Sequence, residues 1–464
     1  MKKYKFFSFI LIISLLLSLP APSAQAIEQP DIAARAAILM NAETGEVYYE
    51  KNSDTILPPA SITKVMTALL ALEAIERGDA ALSDMVTASN TSHNDLTLDG
   101  SSQNIVPGET MSLEGLLYCM LVSSANEACN IIGEHIAGGS ISDFIKLMNS
   151  RAKELGCVNT NFVNTHGLPA DQQYSTARDI AVISAAALEY PLFVEIVNTV
   201  YKELPATNIS DSRYLMNTNY LINPDRSQYY YREARGIKTG STEAAGQCLT
   251  SYVVNDDVTA ISVVLGCEIT EREDGSFEVQ SFIQTKKLME WFLDNYSLST
   301  IIGTTDLICE VPVELAEGTN TVVARPQKDI SMLLPNDIDP AALEKTHVIF
   351  SQREGAEPLV APVHSGDVVG EISFNYNGKT YGPVPLVANT SVERSKLAYL
   401  KSELQNTLSK TWVKWLIIGF IAILILYFAF VIRYNTIRRR RRKAAHEAAK
   451  RGTANSSPFT SDKK

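Results

Sequence analysis

With 464 residues, 45% hydrophobic and 20% charged, the chain has room for two or three domains and is too apolar to be disordered. Its net charge of −11 is uneven: residues 433–464 carry +9 and residues 1–26 carry +3, leaving −23 on residues 27–432. So acidic a body excludes nucleic acid as a partner, because gripping a phosphate backbone requires a basic face.

Residues 1–26 read as a secretory signal peptide. Lys2, Lys3 and Lys5 precede an apolar run from Phe6 to Leu19, and Ala24-Gln25-Ala26 supplies a small-x-small cleavage site. The stretch "AAILMNAETGEVYY" (36–49) predicts a hairpin turning at Glu43-Thr44-Gly45. In "PPASITKVMTALL" (58–70) the prolines bar an earlier helix start, and Ser61 is the expected N-cap. Residues 112–137 predict a helix with a polar interruption from Ser123 to Asn126, and residues 142–155 and 176–188 predict amphipathic helices. Strands follow at Arg235–Thr239, Gln247–Asn255 and Val258–Cys267, then a helix from Val279 to Tyr296. Strands at both ends with helices between them predict one α+β domain over residues 27–298.

Residues 299–389 alternate short strands with turns and predict a separate small all-β domain, and polar residues 390–411 read as a linker. Trp412–Ile432 is then long and apolar enough for a transmembrane helix, with Trp412 and Trp415 at an interface. Arg433 and the run Arg438–Arg442 make residues 433–464 a basic cytoplasmic tail by the positive-inside rule. The expected location is therefore the cell membrane, single-pass, with residues 27–411 extracytoplasmic and the lipid bilayer as a partner. The six cysteines include no C-x-x-C pair and the six histidines are scattered singly, so free, mostly buried thiols are expected, with no metal and no cofactor.

Three short motifs carry chemistry. Ser61 and Lys64 lie three apart on one helix face, where a lysine near the positive end of the helix dipole is disfavoured as an ammonium. A neutral amine there can take the serine proton and activate the hydroxyl as a nucleophile. The same S-x-x-K spacing recurs at Ser150–Lys153 and Ser461–Lys464, on an exposed helix face and in the tail, so spacing alone decides nothing. S-x-N occurs several times, among them at Ser92–Asn94, Ser102–Asn104 and Ser124–Asn126, and of these only the last interrupts an apolar helix, where polar groups need partners. Lys238-Thr239-Gly240 occurs once, on a predicted strand; its cation and hydroxyl could hold a carboxylate, and Gly240 lets a substrate backbone approach.

In that order, the three motifs resemble those of penicillin-binding proteins and class A β-lactamases. With "SSANEACN", "NTHGLPADQQYSTARDIA" and "IKTGSTEAAGQCL", the chain resembles the low-molecular-weight penicillin-binding proteins, the serine-type D-alanyl-D-alanine carboxypeptidases, from about residue 30 to 395. The resemblance implies a transpeptidase-like fold followed by the family's C-terminal β domain. It implies Ser61 as nucleophile, Lys64 as general base and Ser124 as proton relay, with Asn126, Lys238, Thr239 and Gly240 binding the substrate. The backbone N–H groups of Ser61 and Ser241 would form the oxyanion hole. Peptidoglycan stem peptides ending in D-Ala-D-Ala are the implied substrates, and β-lactams the implied covalent inhibitors.

Two positions depart from many relatives: Ser241 stands where they carry histidine, and Trp412–Ile432 spans where they use an amphipathic helix. A β-lactamase would need an E-x-x-L-N loop, which the chain lacks. A D,D-endopeptidase would use the same residues, and a non-catalytic β-lactam-binding or wall-binding protein would usually have lost one of them.

Overall fold

The six residues of β1 (Ala36–Asn41) are all buried, which a strand achieves only when both faces are covered. Ala36, Ile38 and Met40 face one apolar cluster, and Ala37 and Leu39 face another. The structure, a computed structural model, describes residues 27–452. The expected signal peptide at residues 1–26 and the last residues of the basic tail lie outside the described residues.

The chain divides into two units. The first runs to Thr300 and takes back Ser331–Ala342; the second holds Ile301–Ile330 and the chain from Leu343. The return of residues 331–342 departs from the contiguous β domain expected over 299–389. Part of the strand Ile330–Pro335 pairs with the strand Tyr296–Ile302, and Leu333 joins a core cluster of the first unit.

In the first unit, β1 pairs with β2 (Val47–Lys51) in the expected hairpin, where Asn41 Oδ1 accepts from the N–H groups of Glu43 and Thr44. β3 (Ala234–Thr242), β4 (Gly246–Asn255) and β5 (Val258–Cys267) complete an antiparallel sheet of order β2-β1-β5-β4-β3. One face carries α1 (Lys64–Arg77), α2 (Leu113–Leu121), α3 (Asn126–Ile136), α4 (Ile141–Glu154), α5 (Ala177–Leu188) and α6 (Pro191–Asn198) as its helical layer. α7 (Gln280–Asn295) covers the other face through Phe282, Leu288, Met289 and Phe292. This is the expected α+β arrangement, with N- and C-terminal strands in one sheet.

The second unit is built on a five-stranded antiparallel sheet. Its strands are β6 (Cys309–Pro312), β7 (Thr321–Pro326), β8 (Lys345–Ile349), β9 (Val368–Tyr376) and β10 (Lys379–Ala388), in the order β6-β7-β10-β9-β8. Val311, Val322, Ile372, Phe374 and Leu386 are buried in it.

The stretch expected as a polar linker instead contains a helix, α8 (Lys396–Ser409), capped by Ser395 Oγ accepting from the Ala398 N–H. Residues such as Lys, Leu, Ala and Glu are strong helix formers, and polarity alone did not make the segment irregular. The following α9 (Thr411–Gly452) is one continuous helix that runs through the arginine run.

Candidate active site

The expected cap at Ser61 is absent. Residues Ala60–Thr63 form a 3-10 turn, α1 begins only at Lys64, and Thr63, its N-cap, makes no side-chain capping bond. Thr63 Oγ1 instead accepts from Gln173 Nε2 at 3.0 Å. Ala60 holds φ +48°, a left-handed conformation costly for a residue with a Cβ, immediately before the serine. Ser61 is thus carried on a tight turn rather than spent on capping.

Lys64 is fully buried, and its Nζ lies 2.8 Å from Ser61 Oγ, 2.7 Å from Asn126 Oδ1 and 2.9 Å from the His166 carbonyl oxygen. The two carbonyl oxygens take the two N–H bonds of a neutral amine, leaving its lone pair for the serine hydroxyl. Burial pushes the Lys64 amine down to about 8, against a weaker upward pull from Cys129 and Glu127. The geometry therefore suits proton transfer in both directions.

The His166 carbonyl is aimed by a turn fixed from two helices. Thr67 of α1 donates to the Thr165 carbonyl at 2.6 Å, and Thr165 Oγ1 donates to Asn130 Oδ1 of α3 at 2.6 Å. Burial and the neighbouring Lys64 push the His166 ring down to about 3, so it stays neutral. Gly167 completes the turn at φ +90°, where an added Cβ would stand 1.8 Å from the Ala60 oxygen. None of these supports was read from sequence; an isolated Thr or His carries no periodic signal.

The polar interruption of the long helix is a true break between α2 and α3. Ser124 sits at φ +64°, and Asn126 opens α3 with its N–H donating to the Ser101 carbonyl at 2.9 Å. Ser124 and Asn126 are both buried.

β3 is the edge strand of the sheet and presents Lys238, Thr239, Gly240 and Ser241. Lys238 is buried, and its amine is held well below the usual lysine range first by burial and then by the charge of Lys64. Thr239 Oγ1 lies 2.6 Å from Thr218 Oγ1, and the Thr218 N–H donates to the Val122 carbonyl at 3.2 Å, just before Ser124. An added Cβ on Gly240 would lie 3.1 Å from the Ser61 N, so the strand edge touches the turn that carries the serine.

Ser61, Ser124, Thr239, Gly240 and Ser241 line one cleft of about 290 Å³, with Ser101, Thr218, Tyr220 and Phe282 as further walls. Lys64 and Asn126 join it through the bonds to Ser61 and to each other. Three sequence motifs far apart in the chain therefore meet at one place. A larger groove of about 620 Å³ lies beside Met85, Tyr118 and Leu204 and includes none of these residues. Of the other motif matches, Ser150 bonds Glu154 on α4, and Ser102 Oγ accepts from the Asn104 N–H. All six cysteines are free, and no cluster of three or more metal-ligating side chains occurs among the described residues.

Residues 23–268 match the D-alanyl-D-alanine carboxypeptidase family, and residues 309–394 match the C-terminal domain of penicillin-binding protein 5. The chain is 33% identical to the D-alanyl-D-alanine carboxypeptidase DacC of Escherichia coli, over 82% of this chain and 90% of that protein. It is 29% identical to DacF of Bacillus subtilis, over 78% and 86% respectively. The crystal structure of penicillin-binding protein 5 from Haemophilus influenzae superposes with a TM-score of 0.57 at 26% identity, covering 80% of this chain and all of that one. With an S-x-x-K, S-x-N and K-T-G cleft on this fold, the chain belongs to the serine-type D-alanyl-D-alanine carboxypeptidase family.

Proposed function

We propose that Ser61 attacks the carbonyl carbon between the two D-alanines of a peptidoglycan stem peptide, as the enzyme acts as a D-alanyl-D-alanine carboxypeptidase. As the Ser61 Oγ–C bond forms, the serine proton passes to Lys64 Nζ and the carbonyl electrons collect on oxygen. The N–H groups of Ser61 and Ser241 stabilise that oxyanion. Ser124 relays the proton to the leaving nitrogen, the C–N bond breaks, and D-alanine departs. Water then hydrolyses the Ser61 ester.

Asn126, with Oδ1 engaged by Lys64, offers its Nδ2 to the substrate backbone. Lys238 and Thr239 hold the terminal carboxylate, whose negative charge restores the ammonium form that burial disfavours at Lys238. Gly240 lets the substrate lie along the β3 edge as an added strand. β-Lactams, which mimic the D-Ala-D-Ala end, acylate the same serine. The single observation that carries the assignment is the buried Lys64 amine 2.8 Å from Ser61 Oγ.

The one helix among the described residues that is long and apolar enough to cross a bilayer lies at the C-terminus. We read it as the anchor, with residues 27–411 extracytoplasmic and the basic tail cytoplasmic.

Acylation by a fluorescent penicillin, compared between wild type and Ser61→Ala, tests the nucleophile. Loss of label in a folded Ser61→Ala protein is expected, and equal labelling would remove the assignment. Release of D-alanine from a pentapeptide ending in D-Ala-D-Ala is the companion assay; label without release would mark a binding protein instead.

A further inference from the structure

Glu127 follows the site asparagine directly, is fully buried, and is used by no step above. Its Oε1 accepts from Ser102 Oγ at 2.8 Å, from the Gln103 N–H at 2.7 Å and from the Ile105 N–H at 3.3 Å. Its Oε2 is buried without a hydrogen-bond partner. An oxygen left so is costly unless something compensates. Two things do. Glu127 lies in the first turn of α3, at the positive end of the helix dipole. It is also close enough to the buried Lys64 for its charge to favour the ammonium.

The segment held by Oε1 forms part of the site. Ser101 lines the cleft and its carbonyl accepts the Asn126 N–H. Gly100 lies against the Asn126 amide so closely that an added Cβ would be 2.7 Å from Nδ2. Arg213 grips the same segment from outside, donating from Nε to the Gln103 carbonyl at 3.0 Å, and is itself paired with buried Glu109 at 2.6 Å.

We propose that Glu127 is a positioning residue with two separable effects: Oε1 clamps residues 102–105 so that Gly100 and Ser101 hold Asn126 against Lys64, and the buried carboxylate as a whole supplies negative charge near the Lys64 ammonium. The second effect acts when Lys64 has taken the Ser61 proton, since the new cation then has Asn126 Oδ1 and the His166 carbonyl as acceptors and Glu127 as its nearby carboxylate. The other titratable groups facing Lys64 are Cys129 on α3, Lys238 on β3 and His166 on its turn. Burial keeps the Cys129 thiol at about 12 and the His166 ring at about 3, so neither changes charge near neutrality. The proposal rests on Lys64 being the base.

The test measures acylation by a fluorescent penicillin from pH 5 to 10, with KM and kcat for D-alanine release, on the full chain in detergent. Glu127→Gln keeps a carbonyl oxygen for the clamp and removes the charge. Its acid limb should move to lower pH by about one unit, because Lys64 loses a charge that favours its ammonium. Ser102→Ala keeps the charge and removes a clamp bond; its acid limb should stay in place while KM rises about tenfold or more, as expected for one hydrogen bond to a charged group. A folded Glu127→Gln protein with the wild-type limb would overturn the charge role, and wild-type KM in Ser102→Ala would overturn the clamp. Where Glu127→Gln does not fold, Ser102→Ala decides alone, since the proposal fails without the clamp. Lys64→Arg is run in parallel: acylation at the wild-type rate there would overturn the base assignment itself, whatever the Glu127 variants do.

Discussion

Lys64 and Lys238 come from a helix start and a sheet edge, yet both amines are buried at one site, and the charge of Lys64 adds to burial in depressing Lys238. Two ammonium groups in one dry pocket oppose each other, so the pocket favours holding fewer protons than two solvated lysines would. Among the described residues the Lys238 amine makes one hydrogen bond, to the Thr239 carbonyl at 3.3 Å, whereas the Lys64 amine makes three shorter ones. The amine with the full set of partners is the one beside Ser61.

That asymmetry sets a stability prediction. Lys64 is lowered from 10.5 to about 8 in the folded protein, so between these values the unfolded chain binds a proton that the native protein does not. Native stability contributed by this group therefore rises with pH across that window. Lys64→Met lacks the effect. Relative to the variant, wild type should gain on the order of 3 kcal/mol between pH 7.5 and pH 10.5, with most of the gain above pH 8. Thermal unfolding of both proteins at the two ends checks it; a wild type that loses ground with rising pH contradicts the burial argument.

Asn126→Asp should act on the pH profile in the opposite direction to removing Glu127. A carboxylate placed at the Oδ1 position, 2.7 Å from Nζ, favours the ammonium and raises the Lys64 pKa. Acylation at pH 7 should fall by about tenfold and recover toward alkaline pH. The measurement is the second-order labelling rate by a fluorescent penicillin, and a loss equal at all pH values would argue for a purely steric effect.

Two glycines separate folding from chemistry. Gly167 has φ +90° and an added Cβ would lie 1.8 Å from the Ala60 backbone oxygen, so Gly167→Ala should cost more than about 3 kcal/mol and leave little folded protein. Gly240 has no such φ, and its added Cβ would meet Ala60 Cβ at 3.0 Å and Ser61 N at 3.1 Å. Gly240→Ala should fold and lose acylation by about tenfold, because the turn carrying Ser61 is displaced by tenths of an ångström, a fraction of the roughly 1 Å misplacement that costs about a hundredfold. Soluble yield, melting temperature and labelling rate together distinguish the two.

Thr218→Val removes the 2.6 Å partner of Thr239 while keeping its shape. With Thr239 free to rotate, KM for the pentapeptide should rise about fivefold to tenfold with a smaller change in kcat, matching the loss of one hydrogen bond. Thr218→Ser should restore it. Steady-state D-alanine release decides, and an unchanged KM would place Thr218 outside carboxylate binding.

Much of this was legible in the chain because it repeats or departs from a repeat. The strands Gln247–Asn255 and Val258–Cys267 appear as read, since short, largely apolar runs with β-branched content suit a sheet covered on both faces. The interruption at Ser123–Asn126 also showed, as polar residues in an apolar helix. Ser61 as a cap was misread because Thr63 follows it, and a 3-10 turn ahead of an α-helix differs from a cap by only a few backbone angles. The short helix Pro191–Asn198 was missed for want of length. Thr67, Asn130, Thr165 and Thr218 were invisible for a different reason: each matters only through a partner far away in sequence, which a linear pattern does not encode.

The unbroken helix Thr411–Gly452 has a mechanical consequence. Its 42 residues measure about 63 Å, twice the hydrocarbon thickness of a bilayer. A membrane that takes up Trp412–Ile432 leaves Arg438 roughly 9 Å beyond its edge, at headgroup depth. Five consecutive arginines on a 3.6-residue helix point in every direction around the axis. They make a collar rather than a stripe: a stop that resists being drawn into the lipid whichever way the shaft is turned.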